Sequence, residues 1–345
     1  PLWIENNVLA NRIQNRIRAV MTLAAVEKLR PDENPADRQK PLLMLPECVH
    51  EEEPQAAMPY SDLPAFIREL REEEGVAPRA LEFTILTGVR TGDTIGAGGL
   101  QQLFNSGRMA ILRNVGTLIR PASNADYLAN RVELPPQLFS HNDQQSVWQS
   151  SSPEGSTVGW GGNLGDLALS SNGNSLFTCI SVAGNAVFLS GDSALQYLVS
   201  TNGAVAINGV KNRVYGSSAV QSALTSLIQQ PRTQTLENEY NRVTTRAVTA
   251  ESQITNGLAG VTLSTTFPSN NSLANQLKMV ARLIGARTSL GSKRQVFLVS
   301  LGGFDLHDNL ISQQPVLMQR VSEAMTAFYN ATVELGVADK VTAFT

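Results

Sequence analysis

Residues 295–309 read QVFLVSLGGFDLHDN, and the fold class turns on how that stretch is divided. Its first half, Gln295 to Leu301, reads as a β-branched, apolar strand. Gly302 and Gly303 end it, and Asp305, His307 and Asp308 follow at once. Carboxylates and an imidazole therefore stand at the carboxyl end of a strand, where α/β folds gather their ligands. Mixed Asp and His donors suit a divalent ion, which lowers the pKa of bound water and clamps the oxygens of an in-line displacement. Asp305 and His307 are the candidate ligands of one ion, with Asp308 beside them. Read alone, the same residues also describe a capped turn, Asp305 and Asp308 satisfying the N-terminus of the next helix.

Working outward, further strands are expected at 109–112, 176–182 and 186–189. Helices are expected at 100–105, 140–149, 162–169, 219–228, 233–254, 273–284 and 314–335. Such alternation predicts an α/β unit, a sheet covered by helices on both faces. In SHNDQQ (140–145), Ser140 reads as an N-cap, and His141 with Asp143 as active-site polar groups or supports for them. Neighbouring Ser and His side chains on one helix diverge, so a hydrolase triad made of neighbours is geometrically poor. Gly159, Gly161, Gly162 and Gly165 fit neither the dinucleotide nor the P-loop spacing and read as a tight turn into a helix. The only cysteines, Cys48 and Cys179, exclude a disulfide framework and a four-thiolate zinc site.

The 345 residues carry 27 Lys and Arg against 30 Asp and Glu, with 42% hydrophobic residues. A net charge of −3 gives no global reason to expect a nucleic-acid coat protein or a membrane-surface binder. Charge is unevenly spread, however. The first 97 residues hold 11 basic and 16 acidic side chains, the following 248 hold 16 and 14, and so marked a step signals a boundary. Residues 1–29 read as an amphipathic helix with Arg12, Arg16 and Arg18 between its apolar positions, and 30–57 as a Pro-rich, acidic linker. Residues 58–97 begin with a helix that Ser61 and Asp62 cap and Gly75 stops, followed by a nearly continuous apolar helix at 77–89.

PLWIENNVLANRIQNRIRAV (1–20) and AMPYSDLPAFIRELREEEGVAPRALEFTILTGVRTGDTIGA (57–97) resemble the tyrosine recombinase (phage integrase) family, the end of its core-binding domain and the start of its catalytic domain. The resemblance implies that Arg90 matches the first catalytic arginine, whose guanidinium holds the scissile phosphate bidentately, with Asp93 as the acidic residue that accompanies it. Alone, Arg90 reads as a helix-end arginine facing the last carbonyls. Strand exchange also needs a hairpin lysine, a His-x-x-Arg pair and a nucleophilic tyrosine. The three histidines, His50, His141 and His307, supply no His-x-x-Arg, so recombinase activity is not expected.

From residue 99 onward, GRMAILRNVGTLIRP, LPPQLFSHNDQQSVWQ, GWGGNLGDLA and QVFLVSLGGFDLHDN resemble the domain-of-unknown-function family 1501, usually exported bacterial proteins with a twin-arginine signal. That family is similar in fold to the alkaline phosphatase and sulfatase superfamily, whose sites bind metals and hydrolyse phosphate or sulfate esters. The resemblance implies a metal-dependent hydrolase ancestry for 98–345. Leu306 stands where the family has threonine. The family's opening strand with its GGNDG-like turn, and its later Ser-Asp and Asp-His-Gly segments, are not among these residues.

The expectation is therefore an incomplete alkaline-phosphatase-like α/β sheet with flanking helices at 98–345, preceded by a small all-α recombinase-like fragment. The two are expected to be a fusion of truncated pieces joined within residues 96–99 and without efficient activity. A working metal hydrolase, drawing further ligands from Asp143, Asp166 or Asp192, is the alternative, and a DNA-binding module using the arginines of the first helix is another. Expected cofactors are divalent ions of unassigned identity. Expected partners are a small ester, with weak DNA contact by residues 1–97. No membrane span is read, and without an export signal a cytoplasmic location is the default.

Overall fold

A computed structural model describes residues 58–87, 98–112, 115–117 and 119–345, with residues 13, 16–18, 20–22, 24 and 28 of the first segment. The chain divides into two compact units, Pro1–Ile67 and Arg68–Thr345. In the first, residues 13, 16–18, 20–22 and 24 are helical, as the spacing of apolar residues before Leu29 predicts. A 3-10 turn at Tyr60–Asp62 leads into helix α1, Leu63–Glu72, within which the division falls. The linker expected at 30–57 lies outside the described residues.

The second unit continues from α1 through Gly75, whose φ of +122° lets the chain turn where a side chain would be strained. Helix α2 follows, Val76–Thr87. Glu82 is buried on α2 and compensated twice, by Arg71 Nε at 2.6 Å and Arg79 Nη1 at 3.1 Å. Phe83 packs with Leu100, Leu103 and Phe104 of α3, Gly98–Asn105, in a small core that Val321 and Met325 also join. Ser322 Oγ accepts from the backbone N–H groups of Gly99 and Leu100, satisfying two donors that a helix start leaves open.

The remaining helices are α4 (Asn124–Leu128), α5 (His141–Ser150), α6 (Trp160–Ala168), α7 (Asn208–Lys211), α8 (Ser218–Gln229), α9 (Thr235–Ala259), α10 (Ser272–Gly285) and α11 (Leu310–Glu334). Leu273, Leu277, Val280, Ala281 and Ile284 recur along α10 at helical spacing and are buried. Asn271 caps that helix, its side chain accepting from Ala274 N at 3.2 Å. Helices α10 and α11 pack together, and with the second half of α9 they build the main core around Phe177 and Ile180.

Three strands, β1 (Cys179–Ser181), β2 (Gln196–Leu198) and β3 (Val296–Leu298), form a parallel sheet in the order β2-β1-β3. Cys179 registers with Gln196 on one side and Val296 on the other. Side chains alternate between faces. Ile180, Tyr197 and Phe297 enter the helical core, whereas Cys179, Val296 and Leu298 meet Leu189, Ala194 and Phe188 on the other side, where α6 lies. Helices thus cover both faces of a parallel sheet, the α/β arrangement expected for this part of the chain.

Two expected strands are absent as strands. Residues 109–112 pair with no strand; Met109 and Ile111 pack against the cluster of Phe83 and Leu100 while their neighbours face solvent, so the alternation reflects packing on helices and no ladder forms. Residues 187–189 form a 3-10 turn closed by Ser190 N donating to Val187 O at 2.9 Å. The real neighbour of β1 is β2.

Candidate active site

The loop after β3 runs from Val299 to Asn309, and Asn309 begins α11 in the left-handed region with φ +57°. Asn309 makes no side-chain cap, and neither Asp305 nor Asp308 closes the helix start. The capped-turn reading of this loop is therefore not what the chain does. Asp305 Oδ2 instead receives two imidazoles. His307 Nε2 lies 3.2 Å away, and His141 Nε2, from the first residue of α5, lies 3.5 Å away.

Residues singled out in separate motifs thus meet at one carboxylate oxygen. Ser140 positions His141: its hydroxyl accepts from Asp143 N at 3.4 Å, fixing the first turn of α5 so that His141 projects from the helix start. The two glycines, of which Gly303 has φ +96°, swing the chain after β3 so that Asp305 and His307 can face α5. The cluster is open to water, with side-chain exposures of 77% for His141, 66% for Asp305 and 79% for His307. Among the described residues no lysine or arginine pairs with Asp305.

Other expected residues are placed elsewhere. Asp143 Oδ1 accepts from Glu154 N at 3.1 Å, tying α5 to the segment that follows it, so it is a structural tie and not a member of the cluster. Asp308 makes none of the contacts to Asp305 or to the histidines. Arg90 and Asp93 lie outside the described residues. Asp166 is fully engaged: its carboxylate accepts from the N–H groups of Asp192, Ser193 and Ala194 at 2.8, 2.9 and 2.6 Å. Those amides, Ala194 foremost, hold the Asp166 carboxyl below the usual carboxylate range.

The glycines of GWGGNLGDLA serve packing. A Cβ at Gly162 would stand 2.0 Å from Ser190 O, and one at Gly165 would stand 2.3 Å from Cys179 Sγ. The helix lies directly on the sheet and on the turn beside it, with no room left for a phosphate. Trp160 Nε1 donates to Trp148 O at 3.0 Å and its ring meets Phe188 edge-on, so Trp160 ties α6 to α5 and to the turn at 187–189.

As a donor set, two imidazoles and a carboxylate match the chemistry of a borderline divalent ion. The three side chains point at one another, so an ion would have to take the place of the His-Asp contacts. Among the described residues no group of three or more His, Cys, Asp or Glu side chains stands arranged to hold a metal. Nor is any helix among them long and apolar enough to cross a membrane. Comparison of the chain with protein-family models, curated proteins and solved structures gives no match.

Proposed function

We propose that the chain is a fusion whose larger part descends from a metal-dependent phosphate or sulfate ester hydrolase of alkaline-phosphatase-like ancestry. In that reading His141, Asp305 and His307 would become a donor set only once their mutual contacts open, and turnover by the chain as it stands is weak. One observation carries the reading: side chains from two far-separated motifs, each chosen for its chemistry, converge on Asp305 Oδ2.

A divalent ion held by His141, Asp305 and His307 would supply a Lewis acid and a bound water of lowered pKa. The chain's own residues do the rest. Asp305 holds both imidazoles close through their Nε2 atoms, so the three side chains stand together although their contacts must open for an ion. Ser140 holds the helix start that carries His141. Weak turnover follows from the surroundings: side chains more than half exposed leave water in the site, where electrostatic stabilisation of a developing charge is screened. Asp143 and Asp166, the further ligands that the sequence offers, are each held by backbone amides.

Titration of the purified chain with Zn²⁺ or Mn²⁺ tests the donor set, and an aryl phosphate and an aryl sulfate test the chemistry. The expected result is one ion bound, loss of that binding in Asp305→Ala, and hydrolysis close to background. Absence of binding refutes the donor set. Efficient hydrolysis that Asp305→Ala abolishes refutes the weak-turnover reading in favour of a working hydrolase.

A further inference from the structure

Helices α8 and α9 form a hairpin in which, among the described residues, no side chain from Ser218 to Thr249 belongs to a buried apolar cluster. Four apolar residues of α9 nonetheless fall on one line. Leu236, Tyr240, Val243 and Ala247 recur along α9 at steps of four, three and four, the spacing of a seam between paired helices. All four are exposed, Leu236 at 86% and Tyr240 at 69%. A cavity of about 520 Å³, lined by Arg232, Leu236, Glu237, Tyr240 and Asn241, opens at the N-terminal end of the same stripe. An ordered apolar stripe beside a concavity, on a surface that packs into no buried apolar cluster among the described residues, marks an interaction site.

We propose that this face pairs with the same face of a second copy, the two α9 helices running antiparallel about a two-fold axis near Asn241 and Arg242. The register of the stripe supports that occupant. An antiparallel pair about this centre sets Tyr240 of each copy opposite Val243 of the other, and Leu236 opposite Ala247, so every layer joins a large side chain to a smaller one. The cavity lies where the other copy's Val243 and Ala247 arrive. Such reciprocity is the requirement of an isologous contact.

Charge selects the same direction. Glu239 and Arg246 flank the seam on one side, and antiparallel pairing brings each copy's Glu239 to the other's Arg246, twice by symmetry. Parallel pairing sets Glu239 beside Thr244 and forms no ion pair. Arg246 has no ion-pair partner among the described residues, while Glu239 is held on its own helix by Arg242 at 2.8 Å. The second guanidinium from the other copy joins an acceptor that is already ordered.

Sedimentation equilibrium of the full chain, from low micromolar to several hundred micromolar, should show a monomer–dimer equilibrium. Tyr240→Glu should raise the dissociation constant by at least about tenfold, since it places a charge in the centre of the seam. Its circular dichroism and melting temperature should match the parent, because Tyr240 packs on no core. Leu236→Lys gives an independent second disruption. Glu239→Arg and Arg246→Glu should each weaken the dimer, and the double variant should recover it. A chain that stays monomeric throughout overturns the proposal. So does a dimer indifferent to both apolar substitutions, or a charge reversal that the double variant does not restore.

Discussion

Replacing Asp166 by alanine removes one side chain and leaves three backbone donors behind. The cost can be worked from where those donors lie. Asp192 and Ser193 are exposed, so their N–H groups turn to water; Ala194 is 1% exposed, and its N–H, which bonds at 2.6 Å, has no such recourse. A hydrogen bond to a charged acceptor contributes about 1.5–3 kcal/mol, and an orphaned buried donor costs a similar amount. Asp166→Ala should therefore lose about 2–3 kcal/mol at neutral pH, or about 5 °C in melting temperature for a unit of this size. Asp166→Asn keeps Oδ1, which serves Ser193 and Ala194, and places an amide against the Asp192 N–H alone; about 1 kcal/mol is expected. The pH dependence carries a sign. Because the folded pKa lies below the usual value, the stabilisation is complete above the unfolded pKa and disappears as pH falls through the folded one. Urea unfolding at neutral pH, and again in acid below the usual carboxylate pKa, followed through the tryptophan fluorescence, should show the gap between parent and Asp166→Asn closing in acid. A loss below about 0.5 kcal/mol for the alanine variant, the range of an unconstrained surface site, would refute the reasoning.

Glu334 accepts from Ser264 N, Thr265 N and Thr265 Oγ1, which draw its pKa down to about 2. Its contribution is present above the usual value near 4.5 and lost as pH falls toward 2, so Glu334→Gln should flatten the acid limb of a stability profile over that window; an unchanged limb counts against the assignment. Gly165→Ala should destabilise by about 2 kcal/mol through overpacking against Cys179 Sγ, but by under about 1 kcal/mol in a Cys179→Ala background, and strictly additive costs would show that the clash is not the cause. Lys211 pairs with the buried Glu251, which also accepts from Thr255 Oγ1 at 2.8 Å. Lys211→Met should cost about 2 kcal/mol, less than a fully buried pair because Lys211 is itself partly exposed, and chemical denaturation of this variant beside Glu251→Gln checks it.

Much of the helical framework was legible because its signals are local. Ser140 before α5, and the helices expected at 273–284 and 314–335 that α10 and α11 fill, were read from signals that lie within a few turns. Strands were read less well. Gln196–Leu198 sits at the sheet edge, and its three residues alternate too briefly to show a period, so nothing in the sequence separates them from a loop. Val187–Leu189 has strand composition, yet Leu189 reaches its buried position from a turn, and composition does not distinguish the two routes. Met109 and Ile111 alternate for a reason other than pairing. At the site, the donor types and their place after a strand were readable, whereas their meeting was not. Nothing near His141 says that Asp305 will face it, because that approach depends on where the sheet sets the end of β3 against the start of α5. Asp143 has a carboxylate's credentials at the right helix end, and only the neighbouring Glu154 N–H decides that it becomes a tie.

The central strand pairs on its far side with a segment made much later. Gln295 Nε2 bonds to Phe177 O across 118 residues of chain. At a synthesis rate of about 5–20 residues per second, β1 leaves the ribosome roughly 6–24 s before β3 exists to pair with it. During that interval the edge of β1 that β3 will cover stands unpaired, β2 holding only the other edge, and long-range parallel pairing is among the slowest steps a chain makes. Expression yield should therefore depend on holdase chaperones and on translation speed between the two strands, so slow codons placed there would lengthen the exposure of the nascent chain and lower recovery of soluble product.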